Sequence, residues 1–318
     1  MAGAKRITLS LREQDVGGGV KAVPSVSDEA ALAAAQHLVL LIHGYNNDRK
    51  AAADAYAGFH ARQQELDPDG RYGIGRVFVE VYWPGDADWG MASFLFYMGS
   101  VDHAVQSAEC LARYLAERFG ANGVRIDIVA HSMGCRLGME LLRALEGANA
   151  ALDIARIVFM AGAAPTFMLE QQRPARRLRP SYDHVLREGA RSLYSGADSV
   201  LAFAFPAGQS LAPGEEGWMP VALGHTFWAD TTVPLNLGQE ENPQAGHGDY
   251  WGWNTDPKPL HCAQNAAQAV RSFLQFPSAG SRTIGERPLV ESSAIAAREM
   301  ANKREIAARE TARYWAGW

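Results

Sequence analysis

The stretch that most constrains the fold is an apolar run rich in β-branched residues, 124–129, which ends at a serine flanked by small residues. The run is typical of a buried strand, and the apolar spacing after Ser132 is typical of a helix. A strand that turns sharply into a helix around a serine is the arrangement called a nucleophile elbow, which requires small residues two positions before and after the serine. Here these residues are Ala130 and Gly134. We therefore predict that Ser132 is a nucleophile; the alternative is a serine that only caps the helix.

Apolar strands alternate with helical patterns through most of the chain. The sequence predicts strands at 38–42, 76–83, 155–161 and 192–195, an edge strand at 7–11, and helices at 50–66, 101–118, 181–189 and 258–275. This alternation predicts an α/β fold with a mostly parallel sheet flanked by helices. Such sheets bind ligands at the carboxyl ends of their strands. Five strand ends locate the expected site: His43, Pro84, Ser132, Gly162 and Ser195.

An acid is expected after the serine along the chain. A serine hydroxyl reacts at neutral pH only when a histidine takes its proton and a carboxylate orients that histidine. In this kind of fold the order along the chain is serine, acid, histidine. Asp198 follows a predicted strand and a tight turn, so we predict that it is the acid. The alternatives are a turn role for Asp198, Asp183 on a predicted helix, and Asp230 in an irregular segment.

The base is expected late in the chain, on a loop before the last helix. His247 lies between two glycines in such a loop, and we predict that it is the base. His225 is the alternative, although a long segment separates it from the final helix, and His261 is expected to start that helix. His131 precedes Ser132, but the geometry of an elbow turns its side chain away, so we expect it to pack or to orient a neighbour.

Two backbone N–H groups are expected to bind the negative oxygen that forms during acyl transfer. One belongs to Met133, directly after the nucleophile. The other is expected from the loop His43-Gly44-Tyr45 after the first buried strand, with the N–H of Tyr45 as first choice and that of Asn46 as second.

The substrate-binding candidates are aromatic. Trp83 ends a strand, and Phe94 lies in the apolar segment 91–98, which is either pocket lining, a lid or ordinary core. Trp228 lies in the Pro/Gly-rich segment 206–246, which we interpret as a cap or lid between the acid and the base. We predict that these three residues line the substrate site.

Composition and spacing exclude several other classes of function. The net charge of -5 gives no basic surface for nucleic acid, and the three cysteines are scattered, as in a reducing compartment. The first eleven residues hold no apolar segment long enough for a secretory signal, and no run approaches the ~18 apolar residues of a membrane span. A phosphate-binding loop, a zinc spacing and a dinucleotide fingerprint are all lacking. We expect a cytoplasmic protein that needs neither a metal nor a cofactor.

The end of the chain differs in composition from the rest. Residues 291–313 are rich in Ala, Glu, Arg and Lys, with oppositely charged pairs four residues apart. We predict a main domain at 1–280 and a helical appendage at 281–318. This appendage is either a solvated helix or a contact between copies of the chain through Tyr314, Trp315 and Trp318.

These motifs together resemble the α/β-hydrolase superfamily, over roughly residues 37–275. Within it the chain is similar to poorly characterised bacterial serine hydrolases and esterase- or lipase-like proteins that carry a His-Gly-Tyr-Asn loop and an Ala-His-Ser-Met-Gly elbow. The chain departs from the Gly-x-Ser-x-Gly pattern at Ala130, a small residue that the turn tolerates. The resemblance implies a triad of Ser132, Asp198 and His247, with Tyr45 and Met133 as oxyanion donors.

The expected activity is hydrolysis of a carboxylic ester, a small-molecule substrate with an acyl or lipid character suggested by the aromatic segments. A thioesterase or an amidase would use the same triad. Two further hypotheses are a binding or scaffold protein without catalysis and an effector that acts on membrane phospholipid.

Overall fold

A sheet of eight strands organises the part of the chain that is described. The computed structural model describes residues 4–86, 97–120, 123–148, 152, 154–170, 178–206 and 220–277. The strands are β1 (Lys5–Arg12), β2 (Val20–Val26), β3 (His37–Ile42), β4 (Val77–Tyr82), β5 (Arg125–His131), β6 (Ile154–Met160), β7 (Leu186–Tyr194) and β8 (Leu237–Glu241). Their order across the sheet is β2-β1-β4-β3-β5-β6-β7-β8. Only the pair β1–β2 is antiparallel in this sheet; the other neighbours in these described residues are parallel.

The helices that follow β3 in the chain form two groups. The α-helices in the described part of the chain are α1 (Glu29–Ala33), α2 (Arg49–Leu66), α3 (Tyr97–Phe119), α4 (Met133–Gly147), α5 (Arg179–Val185) and α6 (Pro257–Leu274). Helix α3 packs on α4 and α4 on α5, whereas α2 packs on α6. The connection through α2 crosses the sheet in the opposite direction to those through α3, α4 and α5. Because such crossovers are right-handed, the two groups cover opposite faces of the sheet.

The chain reverses its direction across the sheet at β3 and β5, which are neighbours. β3 leads to β4 on one side, and β5 leads to β6 on the other. Ligand sites of parallel sheets form at such a reversal, beyond the carboxyl ends of the strands. The loop that starts at His43 follows β3 and Ser132 follows β5, so both lie at this point. Asp198 follows β7 and His247 follows β8, at the same edge.

The predicted α/β fold with a mostly parallel sheet is confirmed, with corrections at particular elements. The predicted helix at 181–189 is wrong at its end, because α5 stops at Val185 and β7 starts at Leu186. The strand predicted at 7–11 exists as β1 but is not an edge strand, because β2 pairs with it on its outer side. Two strands were not predicted. β2 carries Pro24 and is largely exposed at the sheet edge, and β8 buries only Leu237, so neither has the apolar pattern of a buried strand.

Several predictions concern residues that lie partly or wholly outside the described ones. These are the appendage at 281–318, Phe94, and the middle of the proposed cap, 207–219. The described part of the cap, from 220 to 246, consists of turns and of β8. The domain boundaries therefore stay predictions. Among the helices that are described, none combines the length and the apolar character needed to cross a bilayer.

Candidate active site

Ser132 sits at the sharp turn between β5 and α4 with a backbone that L-residues rarely adopt, φ 53° and ψ -125°. Its N–H donates to the carbonyl of Met160 over 3.0 Å, and its own carbonyl accepts from Cys135 and Ala163, each over 3.0 Å. Strained backbone of this kind persists only where its surroundings hold it, and it is concentrated at functional sites. The neighbouring strand and the first turn of α4 supply that restraint.

The loop after β3 lies directly against the elbow, and two glycines make the approach possible. A Cβ atom on Gly134 would lie 2.7 Å from the carbonyl oxygen of Ile42. A Cβ atom on Gly44 would lie 2.8 Å from Cβ of Ser132 and 2.9 Å from Nδ1 of His131. All three distances are shorter than real Cβ contacts, so neither glycine position accepts a side chain without a shift of the loop.

Ser132, His247 and Asp198 are joined by two hydrogen bonds. Oγ of Ser132 lies 2.8 Å from Nε2 of His247, and Nδ1 of His247 lies 2.8 Å from Oδ2 of Asp198. With the His247 proton on Nδ1, Nδ1–H donates to the carboxylate and Nε2 accepts from the serine hydroxyl. The Asp198 side chain is fully buried, and its Oδ1 accepts the backbone N–H of Leu201 over 3.0 Å. That second bond fixes the carboxylate so that the other oxygen faces the histidine.

His131 supports the loop that carries His247. Its Nε2–H donates to the backbone carbonyl of His247 over 2.7 Å, and the two rings are 5.1 Å apart. Burial lowers the pKa of His131 to about 3, and the neighbouring His247 ring adds to this effect. The ring is therefore neutral near pH 7 and keeps its proton on Nε2. This matches the prediction that it orients a neighbour.

Two buried histidines should make the fold sensitive to acid. Burial lowers the pKa of both His43 and His131 from an ordinary 6.5 to about 3. Between pH 6.5 and 3 the unfolded chain therefore binds protons that the folded chain does not, so stability falls as the pH falls through this window. Each histidine should cost about 2 kcal/mol of unfolding free energy between pH 7 and pH 5.

Urea unfolding at pH 7 and pH 5 measures this loss. Between pH 7 and pH 5 the free energy of unfolding of His131→Gln should fall less than that of the native chain. His261→Gln, at an exposed position of α6, should show the same fall as the native chain. An unchanged pH dependence in His131→Gln would contradict the assignment.

The loop 43–47 holds its peptide groups in fixed directions. Nδ1–H of His43 donates to the carbonyl of Gly44 over 2.8 Å, and the Asn47 amide donates to the same oxygen over 3.2 Å. Because a trans peptide points its C=O and N–H in opposite directions, the N–H of Tyr45 points away from these two donors. The N–H of Asn46 donates to the carbonyl of Gly85 over 2.5 Å, so the second-choice donor is already engaged.

Arg12, the last residue of β1, connects the loops after β3 and β4. The side chain of Arg12 is 1% exposed and is paired with Asp86. Its Nη1 donates to the carbonyls of Asn47 over 3.1 Å and of Trp83 over 3.2 Å. The sequence analysis missed this residue. A charged residue at the end of a predicted edge strand was the only local signal, and its partners are distant in sequence.

A cavity of about 380 Å³ opens beside the three joined side chains. On one side it is lined by the segment that follows Asp198, and on the other by the segment that follows His247. The apolar lining residues from these two segments are Val200, Leu201, Ala204, Phe205, Trp251 and Trp253. Ser132 and Tyr45 also face this cavity, whereas Met133 is fully buried at the start of α4.

The structure does not place the predicted substrate-binding tryptophans on the described wall of the cavity. Trp83 is fully buried, stacks on His43 at 5.6 Å and donates its indole N–H to the His43 carbonyl over 2.9 Å. Trp228 is 8% exposed, and its backbone pairs with the side chain of Gln239. Trp251 and Trp253 were missed as lining residues, although the first lies in the loop assigned to the base.

The alternative acids have other partners. Asp183 pairs with Arg179 within α5 at 2.6 Å, and Asp230 accepts the backbone N–H of Thr232 in its own turn. His261 is exposed on α6. The structure therefore brings together Ser132, Asp198 and His247 from the predicted set.

A family model matches part of the chain. Residues 24–173 match the model of a family described as an alpha/beta hydrolase of unknown function (DUF900). The chain has the α/β-hydrolase fold. The matched segment includes the loop after β3 and Ser132, and it ends before Asp198 and His247.

Solved structures also match the chain. Esterase PE8 is 14% identical, with 76% of this chain and 93% of that chain covered and a TM-score of 0.38. A dienelactone hydrolase-like promiscuous phosphotriesterase, P91, from metagenomic libraries is 13% identical over 75% and 86% of the two chains, with a TM-score of 0.35. The esterase PF2001 of Pyrococcus furiosus is 9% identical over 76% and 83%, with a TM-score of 0.34. No curated protein matches the chain.

Proposed function

We propose that this α/β hydrolase is a serine hydrolase that cleaves a carboxylic ester through an acyl-enzyme intermediate. The observation that carries the proposal is the continuous chain of hydrogen bonds from Ser132 through His247 to the buried Asp198. Both distances, 2.8 Å, suit proton transfer from the serine hydroxyl to the imidazole as the hydroxyl attacks.

In the first half of the reaction, Oγ of Ser132 attacks the ester carbonyl carbon while its proton passes to Nε2 of His247. The carbonyl oxygen becomes negative in the tetrahedral intermediate, where the N–H groups of Tyr45 and Met133 would donate to it. The intermediate then breaks its bond to the alcohol oxygen, which takes the proton from His247. The acyl group remains on Ser132, and the alcohol leaves.

In the second half, a water molecule gives a proton to Nε2 of His247 and attacks the acyl carbon. The bond to Oγ of Ser132 breaks, and the serine oxygen takes the proton back. The carboxylic acid leaves, and the enzyme returns to its starting state. Asp198 stays ionised throughout and stabilises the imidazolium that forms in each half.

The electrostatic surroundings of Ser132 favour the negative charge of the tetrahedral intermediate. The oxyanion forms at the N-terminus of α4, where the helix dipole is positive, and each fixed N–H donor is worth roughly 3 kcal/mol to the transition state. Gly44 lets the loop that carries Tyr45 lie against Ser132. A non-catalytic scaffold would gain nothing from the strained backbone of Ser132, which counts against that alternative.

Labelling with a fluorophosphonate probe and turnover of p-nitrophenyl acetate test the proposal together. We expect the native chain to react with the probe and to hydrolyse the ester, and Ser132→Ala to do neither. Ser199→Ala is the matched control, because this serine is exposed beside the acid loop. A native chain that does neither, or a Ser132→Ala variant that does both, would overturn the proposal.

A further inference from the structure

Most of the apolar residues that line the cavity beside Ser132 come from the two segments that directly follow the acid and the base. Asp198 leads into a π-helical turn, Val200–Ala204, and π-helical turns are rare and frequent at functional sites. Val200, Leu201 and Ala204 of this turn face the cavity, as does Phe205. The same residues that place the acid therefore also build one wall of the space in front of the nucleophile.

The opposite wall is a short segment, residues 251–253, held tightly on α2. A Cβ atom on Gly58 of α2 would lie 2.5 Å from the backbone N of Trp253 and 2.8 Å from the carbonyl of Trp251. The rings of Trp251 and Tyr56 meet edge to face at 5.6 Å. These contacts fix the backbone of the segment and the ring of Trp251, so this part of the wall is preformed.

The chemistry of the cavity is apolar and uncharged. Among its described lining residues there is no carboxylate, ammonium or guanidinium group, and the polar ones lie near Ser132 or in the loop 45–47. Trp253 is 55% exposed and Val200 42% exposed, so the apolar surface continues to the mouth of the cavity. An apolar chain bound between Ser132 and the mouth of the cavity would be removed from water along its length, which is favourable. A charged chain would find no oppositely charged side chain among these described lining residues.

We propose that the ester cleaved by this enzyme carries an uncharged apolar chain that occupies this cavity, an inference that rests on the proposed function. At ~30 Å³ for each heavy-atom group, the cavity of about 380 Å³ holds on the order of ten groups. After the ester group itself is placed, this leaves room for a chain of roughly six to ten carbons. The chain belongs either to the acyl group or to the alcohol.

Two substrate series test the proposal and distinguish these sources. In p-nitrophenyl esters of increasing acyl length, or in acetate esters of increasing alcohol length, kcat/KM should rise about threefold to fourfold for each methylene until the cavity is full. Ala204→Trp should narrow the cavity. In the acyl series it should lower the ratio of kcat/KM for the octanoyl ester to that for the acetyl ester at least tenfold. In the alcohol series the same loss is expected in the ratio of kcat/KM for octyl acetate to that for ethyl acetate. Ala57→Trp adds the same side chain on an exposed position of α2 and should keep the native ratios.

A binding measurement separates this inference from the proposed function. Calorimetric titration of Ser132→Ala with methyl ketones needs no turnover, and 2-octanone should bind about a hundredfold more tightly than 2-butanone. Adding Ala204→Trp should weaken 2-octanone binding at least tenfold. If the native chain lacks turnover while this ketone preference remains, the proposed hydrolase activity is wrong and the apolar binding site is still supported. If Ala204→Trp changes neither the ratios nor ketone binding, the apolar site is overturned.

Discussion

His247→Ala is expected to lower kcat/KM for p-nitrophenyl esters by about 10⁶-fold, the scale found when the base of a serine triad is removed. Without the imidazole, no group accepts the proton of Ser132, whose hydroxyl lies 2.8 Å from Nε2 in the native site. The fold should survive, because the His247 side chain lies at the wall of the cavity rather than in the core. Steady-state kinetics with circular dichroism of both chains measure the change.

The control is the second histidine that the sequence offers as a base. His225→Ala removes a half-buried histidine that follows β7 and precedes β8. It should keep turnover within about threefold of the native value, because the imidazole hydrogen-bonded to Ser132 is that of His247. If the two results were exchanged, the base would be His225 and the geometry around Ser132 would have to change on substrate binding.

Asp198→Asn is expected to lower kcat by about 10⁴-fold, with little change in KM. The asparagine amide can donate to Nδ1 of His247, and the proton would then move to Nε2, where it faces the serine oxygen and blocks proton acceptance. The Leu201 N–H can still be accepted by the asparagine carbonyl, so the loop should keep its shape. Comparing kcat and KM of the variant with those of the native chain measures the effect.

Asp230→Asn is the matched control for this change. Asp230 lies in an exposed turn and accepts the N–H of Thr232, so its amide variant should retain most of the native activity. An Asp198→Asn variant with more than a tenth of the native kcat would rule out Asp198 as the carboxylate that orients the base.

The parts of the site that could be predicted are those with a local signature. Ser132 stands between a β-branched strand and a helix, and Gly44 directly follows an apolar strand and a histidine, so each carries its own turn signal in a few residues. Asp198 and His247 were predicted by their order along the chain and by the glycines around them. The structure brings both to Ser132, but their catalytic roles stay proposals until the variants are measured.

The parts that could not be predicted depend on partners far away in sequence. Trp83 ends a strand as a pocket residue would, yet its ring is stacked on His43, forty positions earlier. The wall at 251–253 is defined by its contact with Gly58, almost two hundred positions away. Such contacts arise when the sheet assembles, so no local pattern of hydrophobic residues encodes them. The edge strands β2 and β8 were missed for a related reason, because an exposed edge needs little apolar surface.

The guanidinium of Arg12 connects the two N-terminal strands to the loops around the proposed site. It links the antiparallel edge of the sheet to the carbonyl of Asn47, in the same loop as the proposed oxyanion donor Tyr45. The strand that carries Arg12, β1, pairs with a neighbour on each side and buries Ile7, Leu9 and Leu11 in the core. We therefore expect the position of the loop to follow the stability of the whole sheet, because the residue that holds it belongs to a strand that opens with the core.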